Sequence, residues 1–136
     1  LSPTGNIAAV PVPAAQPGEL KIASFNLQRF YDSVNDAGVS DAVPSPAAVA
    51  RRLRKASLAV RNILGSPDVL AVMEMENLAV LQALAARINS DAAAAGLPNP
   101  GYQACLEEGN DVGGIDVGFL YSTRVTVTEC AQFGKD

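Results

Sequence analysis

The spacing of apolar and polar positions changes along the chain, and each period predicts an element. Residues 20–27 read Leu, Lys, Ile, Ala, Ser, Phe, Asn, Leu. This near-alternation predicts a first strand with Ile22, Ser24 and Asn26 on one face. Asn26 stands where that strand leaves the core, and Gln28, Arg29 and Asp32 follow at once. An amide there caps a turn, holds a ligand or orients a metal-bound carboxylate. Residues 31–46 carry Asp32, Asn35, Asp36, Gly38, Asp41, Pro44 and Pro46 and predict a long loop, functional or mobile. Ser45 then offers an N-cap and Pro46 the first helical position. Val49, Leu53, Ala56, Val60 and Ile63 recur at helical spacing up to a closing Gly65. Arg51, Arg52, Arg54 and Lys55 fall mainly on the opposite face, which reads as a solvated surface rather than a phosphate-binding one.

The chain is organised around residues 68–77, Asp-Val-Leu-Ala-Val-Met-Glu-Met-Glu-Asn. The five apolar residues predict a strand buried on both faces. It ends abruptly in Glu74 and Glu76. A carboxylate at the mouth of a buried strand must be hydrated, paired or bound to a cation, because burying it alone is very costly. One reading is a metal ligand carried on a rigid element. The other is a strand end reaching solvent, with Glu76 favoured by the positive end of a following helix. Asn77 caps that helix, Leu78, Leu81, Leu84 or Ala85, and Ile88 form its apolar stripe, and Gly96-Leu97-Pro98 stops it. The order β-α-β-α suggests a layered α/β fold. Residues 102–106, 115–121 and 125–129 then read as three strands, and their short links imply antiparallel neighbours. Cys105 and Cys130 lie near the ends of two of them, so a disulfide and two buried thiols are both open.

Composition narrows the chemistry. The 136 residues fit one domain, and a hydrophobic content of 49% provides a core. Residues 1–18 are rich in Pro and Ala and predict an extended linker. The net charge of −4 argues against a protein that coats nucleic acid electrostatically, but does not exclude a nuclease whose metal offsets phosphate charge. There is no His. That excludes a Ser-His-Asp triad, a His-bearing zinc site and a histidine base within these residues. The spacing of Asp32, Asp36 and Asp41 does not fit an EF-hand. No apolar run reaches the ~20 residues of a membrane span. No signal peptide is visible, and a start at Leu1 suggests a piece of a longer protein.

Three segments resemble one family. Residues 21–27 (Lys-Ile-Ala-Ser-Phe-Asn-Leu) are similar to the opening strand of the endonuclease/exonuclease/phosphatase superfamily, the DNase I-like fold. Residues 67–77 resemble its second motif, usually written PDVIALQEVEN. Residues 114–121 (Gly-Ile-Asp-Val-Gly-Phe-Leu-Tyr) resemble a strand of its bacterial extracellular nucleases. The resemblance implies that residues 19–136 form the N-terminal half of a four-layer α/β/β/α sandwich, an α/β (α+β) unit. Its sheet is mixed and mostly antiparallel, with two helices on one face. It further implies that Asn26 binds the scissile phosphate and orients catalytic groups. Glu74 would ligate Mg²⁺, or Mn²⁺ or Ca²⁺, and Gln28 and Asp116 would lie on the substrate side. Gln28 stands where relatives often carry an acid, Met73 where Gln usually precedes the metal Glu, and Asp116 reads best as structural support. The family's later Asp-x-Asn and Ser-Asp-His motifs do not occur here. The expectation is therefore half of a secreted or periplasmic metal-dependent nuclease, inactive by itself. The full-length protein would act on nucleic acid. The exposed sheet face would meet the missing half or a second copy. A phospholipid or sugar-phosphate esterase and a non-catalytic α/β interaction domain are the alternatives.

Overall fold

A computed structural model describes residues 9–134. Six elements follow in the order β1 Ile22–Phe30, α1 Pro46–Asn62, β2 Val69–Met75, α2 Leu78–Ala94, β3 Gln103–Cys105 and β4 Asp116–Tyr121. Of the expected linker, residues 1–8 lie outside the described residues. Residues 9–18 form no helix or strand, and the Val12 N–H donates to the Ile63 carbonyl at 2.7 Å.

Both helices begin where local chemistry dictates. The Ser45 side chain accepts from the Ala48 N–H and the Asn77 side chain from the Val80 N–H, each satisfying a first-turn donor that the helix itself leaves open. The parallel crossover from β1 to β2 through α1 and the antiparallel pairings of β2 with β4 and β4 with β3 give a four-stranded sheet in the order β1-β2-β4-β3. This is the mixed, mostly antiparallel sheet expected.

Strand parity separates the two faces of the sheet. Leu70, Val72 and Leu120 are fully buried and share a core with Ala56 and Val60 of α1 and Leu81, Leu84 and Ile88 of α2. Both helices therefore cover one face. Ile22 (74% exposed), Val117 (60%) and Phe119 (46%) lie on the other. β2 is thus buried on one face and half-buried on the second, not on both as its apolar run implies. Gly118 of β4 sits under α2. A Cβ there would fall 2.8 Å from Leu81 Cδ2 and 2.9 Å from the Cys105 carbonyl oxygen, so only glycine lets helix and sheet meet this closely. The helices are also joined by charge: Ser57 of α1 donates to Asp91 of α2 at 2.7 Å, and Arg87 and Arg61 pair with the same carboxylate. Burial raises the pKa of Asp91, but bonds from Arg87 and Ser57 and the two arginine charges outweigh it and hold the group below its usual range.

The expected strand over residues 125–129 does not form; the segment is irregular and mostly exposed. Its Val-Thr-Val-Thr composition favours strand, but β4, its neighbour in sequence, is already paired on both sides by β2 and β3, and the segment joins no ladder. Cys130 instead returns to Cys105 at the end of β3, and the two are joined as a disulfide with Cα atoms 6.0 Å apart.

Gly118→Ala is expected to lower unfolding stability by about 1–3 kcal/mol through overpacking. Ser24→Ala, on the open face, should stay within about 0.5 kcal/mol. Urea denaturation followed by circular dichroism measures both.

Candidate metal and phosphate site

At the mouth of the sheet the β1–β2 ladder breaks. Asn26 pairs with Met73, and the next pair is Phe30 with Met75, so three residues of β1 oppose one of β2. Glu74 is also skipped in the β2–β4 ladder, where Met73 pairs with Val117 and Met75 with Asp116. The backbone absorbs this with left-handed torsions at Gln28 (φ 54°), Arg29 (55°) and Glu74 (59°). Such torsions are uncommon outside glycine and cost of order 1–3 kcal/mol each, so the surroundings must over-determine them. The bulge reverses parity. Leu70 and Val72 point under the helices, and a regular period of two would send Glu74 after them. Instead Met75 takes the inward place, fully buried, and Glu74 emerges partly exposed on the open face beside Asn26.

Hydrogen bonds then fix the pair. Asn26 Nδ2 donates to Glu74 Oε1 at 2.8 Å, and the Arg29 N–H donates to Oε2 at 3.0 Å. Asn26 Oδ1 accepts from the Gln28 N–H at 2.7 Å, so both ends of the amide are engaged. Arg52 of α1 supports the bulge from behind. Its guanidinium donates to the carbonyls of Leu27 (2.8 Å), Gln28 (2.7 Å) and Arg29 (2.7 Å) and lies 4.7 Å from the centroid of the Phe30 ring. Carbonyls turned out of a ladder need new donors, and a planar fork of N–H groups supplies them. The sequence reading placed Arg52 on a solvated face with Arg51, Arg54 and Lys55. Those three are exposed and Arg52 is not. No spacing signal distinguishes it from its basic neighbours.

A cleft of about 400 Å³ opens over this corner, lined by Asn26, Glu74, Asp111, Asp116, Val117 and Gln132 among others. It unites three of the four residues singled out from sequence. Gln28 is not among them; it contributes its main chain to the bulge and lines a separate cleft with Arg52 and Lys55. Asp116 Oδ1 accepts from the Gly109 N–H at 2.7 Å, which braces the loop before β4 and agrees with structural support. Gln132 reaches the cleft because the disulfide ties the tail to β3.

The second acid of the run behaves differently. Glu76 is only 4% exposed, not a strand end in solvent. Its Oε2 accepts from the Asp32 N–H at 2.6 Å. Its Oε1 is buried without a hydrogen-bond partner. Burial above all, then the charges of Asp32, Asp36 and Asp41, push its pKa to about 7 against the lowering effect of the Asp32 N–H.

Among the described residues, no three His, Cys, Asp or Glu side chains converge closely enough to enclose a metal by themselves. No described helix is long and apolar enough to cross a membrane. No family model, no curated protein and no solved structure matches this chain.

Two outcomes are expected. Because Glu76 has a higher pKa folded than unfolded, the native state binds the extra proton between roughly pH 4.5 and 7. The associated stability is present below that window and is lost as pH rises through it, about 3 kcal/mol in all. Denaturation in metal-free buffer across this range should show the decline, and Glu76→Gln should flatten it. Arg52→Met should destabilise the chain by about 1–3 kcal/mol, because the bulge carbonyls lose their donors. Its amide exchange should rise selectively over residues 27–30.

Proposed function

We propose that this chain supplies the metal- and phosphate-binding half of a divalent-metal-dependent phosphodiesterase, a nuclease acting on DNA or RNA. The observation that carries this reading is the Asn26–Glu74 pair, joined at 2.8 Å on a strained bulge at the open mouth of the sheet. The resemblance of the three sequence segments supports the choice of chemistry.

The donor set fits a hard cation. Glu74 accepts one hydrogen bond on each oxygen and remains partly exposed over the cleft. Each carboxylate oxygen has room for a further partner. Mg²⁺ takes one or two carboxylates, keeps several waters and shares the rest of its shell with substrate phosphate. Glu74 would hold it, and Mn²⁺ or Ca²⁺ would suit the same oxygens. The bound ion supplies charge stabilisation at the phosphoryl oxygens and leaving group. The chain's own residues do the positioning. Asn26 and the Arg29 N–H lock the carboxylate, Arg52 locks the backbone beneath it, and the amide of Asn26 would offer its second N–H to a phosphate oxygen. These 136 residues contain no His, so on this reading the His–Asp pair that the resemblance implies for acid–base work would come from outside them. The open apolar face with Ile22, Val117 and Phe119 is where this reading seats the second half of the sandwich, or a second copy of the chain. The disulfide supports an oxidising destination, secreted or periplasmic.

In the protein encoded by the complete gene, Glu74→Gln should reduce Mg²⁺- or Mn²⁺-dependent cleavage of plasmid DNA and RNA by more than about 100-fold. Asn26→Ala, which removes a positioning partner, should cost about 10–100-fold. Wild-type rates in Glu74→Gln would overturn the assignment. Activity confined to phospholipid or sugar-phosphate substrates would keep the fold chemistry and change the substrate.

A further inference from the structure

A second acidic cavity, of about 340 Å³, lies behind the first, between the loop that follows β1 and the loop that precedes β4. Five carboxylates line it: Asp36, Glu76, Glu108, Asp111 and Asp116. No Lys or Arg does. Negative charge gathered in a partly enclosed space is unfavourable unless something positive joins it. Three of these acids each commit one oxygen to a local donor. Asp36 Oδ2 accepts from Asn77 at 3.3 Å, Asp116 Oδ1 from the Gly109 N–H at 2.7 Å, and Asp111 Oδ2 from the Gly113 N–H at 2.8 Å. These bonds orient the carboxylates without neutralising them.

The observation that separates this cavity from an ordinary acidic surface is Glu76. Its side chain is more than nine-tenths buried in the cavity wall, and Oε1 has no hydrogen-bond partner. A buried carboxylate oxygen left bare is costly, and native structures rarely leave one without a proton, a water or an ion.

We infer that this cavity is a structural site for one partly hydrated hard divalent cation of the calcium class, bound by Glu76 Oε1 and Asp36 and separate from the Glu74 site. Calcium suits the arrangement better than magnesium. It accepts irregular shells of six to eight oxygens drawn from carboxylates, main-chain carbonyls and water, whereas magnesium demands a near-ideal octahedron. Because no three carboxylates converge on one point, two carboxylates contact the ion and water and main-chain oxygens complete its shell. Bound there, the ion ties the Asp32–Asp41 loop to the end of β2, and the 107–114 loop that walls the cavity also borders the Glu74 cleft. The spacing of the loop acids does not fit an EF-hand; the site is assembled from two loops and a strand end rather than from one continuous segment.

Tb³⁺ luminescence sensitised by Tyr31 tests this, since the Tyr31 hydroxyl donates to the Gly113 carbonyl at 2.8 Å and so sits on the loop beside the cavity. With the chain freed of metal by chelation, Tb³⁺ should bind saturably. Ca²⁺ should displace it with a Kd of about 10⁻⁴–10⁻³ M, the range of extracellular calcium modules. Ca²⁺ should also raise the Tm. In the Glu74→Gln background, which removes the other carboxylate offered to a cation, saturable Tb³⁺ binding and its displacement by Ca²⁺ should persist, and adding Glu76→Gln or Asp36→Asn should weaken Ca²⁺ binding by about tenfold or more. Circular dichroism checks the fold of each variant; if Glu76→Gln fails to fold, Asp36→Asn decides. The inference is overturned by unsaturable binding in the wild type, by unchanged Ca²⁺ affinity in both cavity variants, or by loss of binding in Glu74→Gln alone. The last result would place the ion on Glu74 and leave a proton or a water to satisfy Glu76.

Discussion

By strand parity the carboxylate at position 74 belongs among the leucines under the helices, and a left-handed turn of its backbone keeps it out of them. Leu70 and Val72 point into the core, and the next even position would follow. A charge driven into that core would cost far more than the 1–3 kcal/mol of order assigned to an unfavourable torsion. The bulge therefore solves two problems with one distortion. It places an acid on the open side, and it returns Met75 to the inside so that the core stays continuous. The strain is held from three directions: by Asn26 in the neighbouring strand, by the Arg29 N–H, and by Arg52 reaching up from the first helix.

The two acids of the Glu-x-Glu run show how much two residues of spacing can change. Glu74 is partly exposed, bonded on both oxygens and held by an amide and a main-chain N–H. Glu76 is buried, bonded on one oxygen only and ringed by other acids. The same side chain thus has two electrostatic roles a few ångströms of backbone apart. One is poised to share its charge with something arriving from outside. The other needs a proton or a counter-ion simply to be tolerated where it is.

Much of the architecture was legible because its determinants are local. Ser45 and Asn77 announce their helices through side chains that bond within three residues, and the apolar runs of the first two strands are unambiguous. The pairing of Asn26 with Glu74 also followed from the two strand ends, once these were neighbours. What escaped was set by tertiary context. Nothing in the composition of residues 27–30 signals a bulge, because positive torsions at Gln28 and Arg29 contradict their own preferences. Arg52 is one of four basic residues on its helix, and only the position of the displaced carbonyls selects it. The burial of Glu76 requires the long loop to fold back and offer the Asp32 N–H. The missing strand at 125–129 had the right residues, but β4 before it is already paired on both sides, and pairing belongs to the sheet rather than to the segment.

The Cys105–Cys130 bond ties the corner to the oxidised state of the chain. Beyond Arg124, whose guanidinium pairs with Asp68, the tail has no ladder to hold it, and a covalent link spanning 25 residues fixes it against the sheet. Closing a loop of that length restrains the unfolded chain by about 3–4 kcal/mol in the chain-entropy account. The helices, the sheet and the bulge are held by hydrogen bonds and packing that do not require the disulfide. They do not supply the wall that Gln132 contributes to the Glu74 cleft. That wall is placed by the Cys105–Cys130 bond, so the cleft is complete only in the oxidised chain.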